Sequence, residues 1–196
     1  MTRTVEFFFD FMSPPTYLAY TQMPGLIART GAVVIWKPVY TIGLHQLTGN
    51  QSPILVPAKG AWIAKDLARY VKRYGIEFVP NSHQPVKVVP SLRGAIVAQE
   101  QGCLGDYISA IFSAMWTKNL NIGDLTVLRE ILVGAGLDAS NILGGIETPE
   151  VKAKLVANTQ EAATRGAFGA PSFFVGDELY WGQDRLPFVE EALLAG

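Results

Sequence analysis

The stretch Val5-Glu6-Phe7-Phe8-Phe9-Asp10-Phe11-Met12-Ser13-Pro14-Pro15-Thr16-Tyr17 decides how the rest of the chain is read. Residues 5–9 are a short apolar run rich in aromatics, the pattern of a buried strand, and Asp10 ends it. Ser13 then stands before two prolines, and Tyr17, Leu18, Tyr20, Met23, Leu26 and Ile27 follow at roughly helical spacing. Serine as N-cap with proline in the first turn is a helix-start signal, so a strand feeds directly into a helix with Ser13 at the junction. The tip of such a helix carries partial positive charge. Its free first-turn amides and the Ser13 hydroxyl would face whatever docks there, and an anion such as a thiolate is favoured. The competing reading is a plain helix cap, since serine is among the preferred N-cap residues.

Working outward, Gly31 ends the helix and residues 32–39 read as a second strand. Residues 58–74, 91–101, 107–118, 124–135 and 150–165 read as helices. In the first of these, Trp62, Ile63, Leu67, Tyr70 and Val71 fall on one side. Residues 45–59, with Gly49-Asn50, Ser52-Pro53 and Pro57, read as a loop over a cleft or as a solvated linker. Strands return only at residues 172–175 and 178–181, a hairpin turning at Gly176-Asp177, before a last helix at 184–194. The fold class is therefore α/β. A thioredoxin-like core of residues 1–45 and 166–196 is split by a large all-helical insertion, residues 46–165.

The 49% hydrophobic content over 196 residues is enough for a sizeable core. Sixteen basic side chains against seventeen acidic ones argue against nucleic acid or an anionic membrane as the main partner. The single cysteine, Cys103, excludes an internal disulfide and a Cys-x-x-Cys redox pair; it reads as a buried small apolar residue. Ser13 and Thr16 occupy the two places where such a pair would stand, so Ser13 could donate to a thiolate supplied by a cofactor but could not exchange disulfides. Arg3, Glu6 and Asp10 break any leader-like run at the start, and no segment is long enough to span a membrane, which points to a reducing cytoplasm. His45 and His83 lack metal-ligand spacing, so no metal is expected.

Two further segments could carry chemistry. In Gly169-Ala170-Pro171-Ser172-Phe173-Phe174 a proline stands just before an apolar strand. In thioredoxin-like folds the proline at this place is cis and lies beside the first helix start; the alternative is a trans proline in a loop. In Trp181-Gly182-Gln183-Asp184-Arg185 a strand ends and a helix opens, so amides and charged side chains cluster where they could clasp the carboxylate and ammonium of an amino acid. An ordinary capped helix is the alternative.

Taken together, these segments resemble the 2-hydroxychromene-2-carboxylate isomerases, a DsbA-like family close to the kappa-class glutathione transferases. The resemblance runs nearly end to end. It rests on residues 9–14 with Tyr17, on Gly49-Asn50, Lys59, Asp66 and Arg69, on residues 168–176, and on residues 181–186. It implies glutathione as cofactor, with Ser13 at its sulfur. The Ala170 backbone before a cis Pro171 would pair with the tripeptide's central residue, and Trp181, Gly182, Gln183 and Asp184, with Arg185 beside them, would hold its γ-glutamyl end. Tyr40 and Asn50 fall where the family meets a small aromatic carboxylate substrate, and a homodimer is compatible with the resemblance. Pro15 departs from the family, whose naphthalene-pathway members commonly carry an aromatic residue there. A kappa-like transferase and a non-catalytic thioredoxin-like binder stay open as other readings.

Overall fold

The computed structural model describes residues 3–196, so the first two residues of the expected core and leader readings lie outside it. Strand β1 (Thr4–Phe9) is central in a four-stranded sheet of order β2-β1-β3-β4. It runs parallel to β2 (Val33–Pro38) and antiparallel to β3 (Ser172–Val175), which pairs antiparallel with β4 (Glu178–Trp181). Phe7, Phe8 and Phe9 are all fully buried, because a central strand covered on both faces leaves no solvent side for polar alternation.

The two faces differ. Phe7 and Phe9 belong to the larger core, where Phe7 packs on Phe173 and Phe9 on Phe11 and Phe112. Phe8 and Phe174 belong to a smaller core closed by Val39, Leu44, Ala162 and Ala167. Glu6 also faces this side. It meets Lys37 at 2.7 Å and Arg165 at 2.6 Å, and the Arg165 guanidinium lies 3.9 Å from the centre of the Phe174 ring.

Helix α1 (Pro14–Thr30) follows β1 and ends on Gly31, whose left-handed φ of 67° and N–H bond to the Ile27 carbonyl make a glycine cap. Helix α2 (Thr41–Thr48) occupies the first part of what the sequence presents as a loop. Its Leu44 is buried in the smaller core, which is why this short segment is helical rather than a linker. After a 3-10 turn at Pro53–Leu55, α3 (Pro57–Tyr74) runs for eighteen residues with none buried. Its apolar side leaves Trp62 exposed.

Helices α4 (Val89–Glu100), α5 (Leu104–Trp116), α6 (Leu125–Gly134) and α8 (Pro149–Thr164) lie within one to three residues of the expected boundaries at most ends. A further helix, α7 (Ala139–Gly145), is too short to show periodicity in the sequence. The helical block and the sheet share one core: the Trp116 indole N–H donates to the Phe11 carbonyl at 2.9 Å, and Tyr107 packs on Phe11. Cys103, expected to be buried, is half-buried, because it sits at the N-cap of α5. The last helix, α9 (Leu186–Ala195), begins two residues later than expected, since residues 183–185 form a 3-10 turn.

Candidate active site

The site grows from the turn between β1 and α1. Asp10 makes this turn with three of its own acceptors. Its carbonyl accepts the Ser13 N–H at 3.2 Å, its Oδ1 accepts the Met12 N–H at 2.9 Å, and its Oδ2 accepts the Thr41 N–H at 2.9 Å. Thr41 is the first residue of α2, so one fully buried carboxylate joins two helix starts. Burial pushes the Asp10 pKa above the ordinary carboxylate value, and the Met12 and Thr41 amides pull it part of the way back. The sequence marks Asp10 only as the end of a strand.

Ser13 is the N-cap of α1, as expected: its Oγ accepts the Thr16 N–H at 3.3 Å. It also does more than cap. The same hydroxyl donates to the carbonyl oxygen of Ala170 at 2.8 Å, and the Ala170–Pro171 peptide is cis. The expectation of free first-turn amides is corrected. Pro14 and Pro15 carry no N–H, the Thr16 N–H is taken by Ser13 Oγ, and the Tyr17 N–H bonds the Ser13 carbonyl. The Ser13 hydroxyl is therefore the proton donor that this tip can redirect to a ligand. Thr16 is buried, and its Oγ1 has no protein partner among the described residues.

Behind Ser13 the second segment folds back on the third. Pro171 O accepts the Gly182 N–H at 3.0 Å, and α1 packs against the 3-10 turn that contains Gln183, Asp184 and Arg185. Gly182 adopts φ 105°, a backbone conformation that residues with a Cβ rarely take, and it lies close to the Asp184 carboxylate. Gly169 passes under Trp181, where a Cβ would come within 2.8 Å of the indole nitrogen; the Trp181 ring packs on Phe168 at 4.7 Å. Asp184 accepts no helix amide among the described residues. Its charged partner is Arg185 at 3.5 Å, and both side chains are substantially exposed. The helix-cap reading of Asp184 therefore finds no hydrogen bond to rest on. Its charge does reach Tyr74 on α3, whose pKa is raised mainly by burial and also by Tyr70 and Asp184.

The two other expected residues are joined to this cluster indirectly. Asn50 donates from Nδ2 to the Phe168 carbonyl at 2.8 Å, which ties the residue after the α2 glycine cap to the loop leading to Pro171. Tyr40 is held by its backbone N–H on Thr159 Oγ1 at 3.1 Å and reaches Ser13 only through its neighbour Thr41 and Asp10. A neighbour that no sequence pattern marks is Gln84, whose Nε2 lies 3.4 Å from the Met12 carbonyl. A groove of about 560 Å³ between α5 and α6 carries none of these residues. Among the described residues no group of three or more histidine, cysteine or acidic side chains could hold a metal.

The DSBA-like thioredoxin domain model matches residues 4–194. The 2-hydroxychromene-2-carboxylate isomerase of Sphingobium xenophagum is 31% identical over 203 residues, covering 99% of this chain and all of that protein. Human glutathione S-transferase kappa 1 is 26% identical over 181 residues, covering 87% of this chain and 80% of its own. A solved 2-hydroxychromene-2-carboxylate isomerase structure superposes with a TM-score of 0.87 at 25% identity, covering 97% of this chain and 94% of the other. The chain belongs to the DsbA-like thioredoxin family, in the branch of the 2-hydroxychromene-2-carboxylate isomerases beside the kappa-class glutathione transferases.

Proposed function

We propose that this protein is a glutathione-dependent isomerase that interconverts 2-hydroxychromene-2-carboxylate and trans-o-hydroxybenzylidenepyruvate, or a close aromatic analogue, in a reducing cytoplasm. The observation that carries the reading is the Ser13 hydroxyl, 2.8 Å from the carbonyl before cis Pro171, at a helix tip with no cysteine. A thiol chemistry without a protein thiol needs a borrowed one. Bound with its sulfur at Ser13 beside cis Pro171, glutathione would supply a thiolate for reversible addition to the conjugated double bond, with no net oxidation.

The residues present fit that tripeptide. Ser13 can turn its proton from Ala170 O to a sulfur and hold it ionised with help from the helix dipole. The Ala170 N–H has no protein partner among the described residues, so it suits a peptide carbonyl. Asp184, uncommitted to any helix, suits an ammonium, and Trp181, Gly182, Gln183 and Arg185 frame it. Tyr40 and Asn50 are assigned to the aromatic side, and residues 46–165 to a helical insertion in a core of residues 1–45 and 166–196.

The similarity to human glutathione S-transferase kappa 1 supports a second reading, conjugation of glutathione to an electrophile. One experiment separates them: chromatographic separation followed by mass spectrometry of 2-hydroxychromene-2-carboxylate incubated with the enzyme, with and without glutathione. An unchanged-mass isomer formed only with catalytic glutathione supports the isomerase. A released glutathione adduct selects the transferase, and full turnover in thiol-free buffer rejects both.

A further inference from the structure

Asp10 is fully buried, yet no step above uses it. Each of its carboxylate oxygens takes one backbone N–H, Met12 on the α1 side and Thr41 on the α2 side, both at 2.9 Å. The Met12 bond closes a tight turn that the Ser13 N–H shares through the Asp10 carbonyl. The Thr41 bond fixes the first residue of α2, just after Tyr40, whose own N–H is held by Thr159. The α2 N-cap residue, Tyr40, makes no side-chain cap bond, so Asp10 serves that helix start from 31 positions away.

From this we infer that Asp10 is a positioning residue, whose carboxylate sets the register between the Ser13 hydroxyl and the start of α2 that carries Tyr40. The inference rests on the functional reading above for what is being aligned: the sulfur at Ser13 and the aromatic substrate beside α2. It assigns Asp10 no contact with either. The carboxylate is required because two acceptors must face two N–H donors about a single carbon, and no other side chain of this length offers both.

Two substitutions separate the two arms. Asp10→Asn presents one acceptor and one NH2 group, so one of the two amides faces a donor. Asp10→Ser keeps a short hydroxyl that can close the turn on Met12 but cannot reach Thr41. Circular dichroism first fixes a temperature at which each variant is folded. Amide hydrogen exchange without ligand then tests the bridge itself: Asp10→Ser should lose protection at Thr41 and keep it at Ser13. Unchanged protection at Thr41 overturns the inference, whatever the protein is found to catalyse.

With glutathione present, Asp10→Asn should raise the pKa of the bound thiol, because a displaced turn carries the Ser13 hydroxyl with it. Simple removal of a negative charge would lower that pKa, so a lowered value overturns a geometric role. Asp10→Ser, which keeps the Met12 turn, should not raise the thiol pKa and should leave glutathione affinity near wild type while turnover falls on the order of tenfold or more, the scale of a misplaced reactant. Lowered melting with turnover and thiol titration both unchanged would reduce Asp10 to a stability role and overturn the inference. If Asp10→Asn does not fold, Asp10→Ser still decides. A wild-type protein that binds no glutathione sinks the functional reading instead, and hydrogen exchange at Thr41 alone then decides the role of Asp10.

Discussion

The Ser13 hydroxyl donates to the carbonyl of Ala170, a residue 157 positions further along the chain, at 2.8 Å. The same oxygen caps α1 by accepting the Thr16 N–H. One side chain thus serves the helix with its lone pair and the proposed chemistry with its proton. Ser13→Ala removes both. The cap loss should cost about 1 kcal/mol. The donor loss should raise the pKa of bound glutathione and slow turnover roughly 10²-fold. Thiolate absorbance in the ultraviolet, followed against pH, reads the shift; a lowered melting temperature with an unchanged titration would leave Ser13 as a cap alone.

Asp184→Asn should act on affinity and spare the fold. The carboxylate caps no amide among the described residues, so its loss gives the melting temperature little reason to move. A charge-assisted hydrogen bond to the γ-glutamyl ammonium is worth about 1.5–3 kcal/mol, which corresponds to glutathione binding weakened roughly ten- to a hundredfold. Because the contact lies away from the sulfur, the rate at saturation should stay within a few-fold. Calorimetric titration and one melting curve test this, and unchanged affinity would end the role.

Thr16 stands where a second redox cysteine would, with a buried hydroxyl that has no protein partner among the described residues. Valine has the same shape without the polar atom. Thr16→Val should therefore keep or raise stability; relief of about 1 kcal/mol of desolvation corresponds to about 2–4 °C in melting temperature. Calorimetry decides. A fall in stability, or a raised pKa of bound glutathione, would show that the hydroxyl has a partner in the working enzyme.

Acid should loosen the rear of the sheet through Glu6. Its burial pushes the carboxyl pKa up, but Lys37 and Arg165 outweigh that and hold it below the 4.5 of a free glutamate. A lowered folded-state pKa means that the stabilisation is complete above 4.5 and drains away as pH falls through the lower folded value. Asp10 has the opposite sign: its raised pKa makes an unfavourable contribution that appears as pH climbs from 3.8 through the folded value. Glu6→Gln should lower the melting temperature near neutral pH and flatten its decline below pH 4.5. A melting profile against pH with the same acid slope in wild type and variant would assign that slope to other groups.

What the sequence made legible was local. Residues 5–9 are a strand because five consecutive residues carry the signal, and Ser13 is an N-cap because Pro14 and Pro15 follow it. The lack of free amides at the α1 tip is half written in those prolines; the commitment of the Thr16 N–H is visible only in three dimensions. Helix α2 was illegible because its start is served by Asp10, 31 residues away, and its one buried residue, Leu44, is too little for periodicity. The amphipathic spacing of α3 reads correctly as a helix, but spacing reports a face and not what covers it, and none of its residues is buried. The approach of Ser13 to Ala170 rests on pairings across more than 150 residues, which no local pattern encodes.

The sheet order β2-β1-β3-β4 has a consequence for the order of events on the ribosome. β1 emerges first and can take β2 as a neighbour at once, but its other edge waits for β3, which begins at Ser172. For most of synthesis, one flank of the most aromatic strand in the chain stands without a hydrogen-bonding mate, the condition under which nascent strands find foreign ones. Meanwhile α3 through α8, built from short-range contacts, can form early and shelter part of that strand through Phe112. The contact between Ser13 and Ala170 is thus among the last features of the molecule to form, completed only as the final hairpin leaves the exit tunnel. A chain stalled before residue 170 would carry the Ser13 cap of α1 without the carbonyl to which its hydroxyl donates.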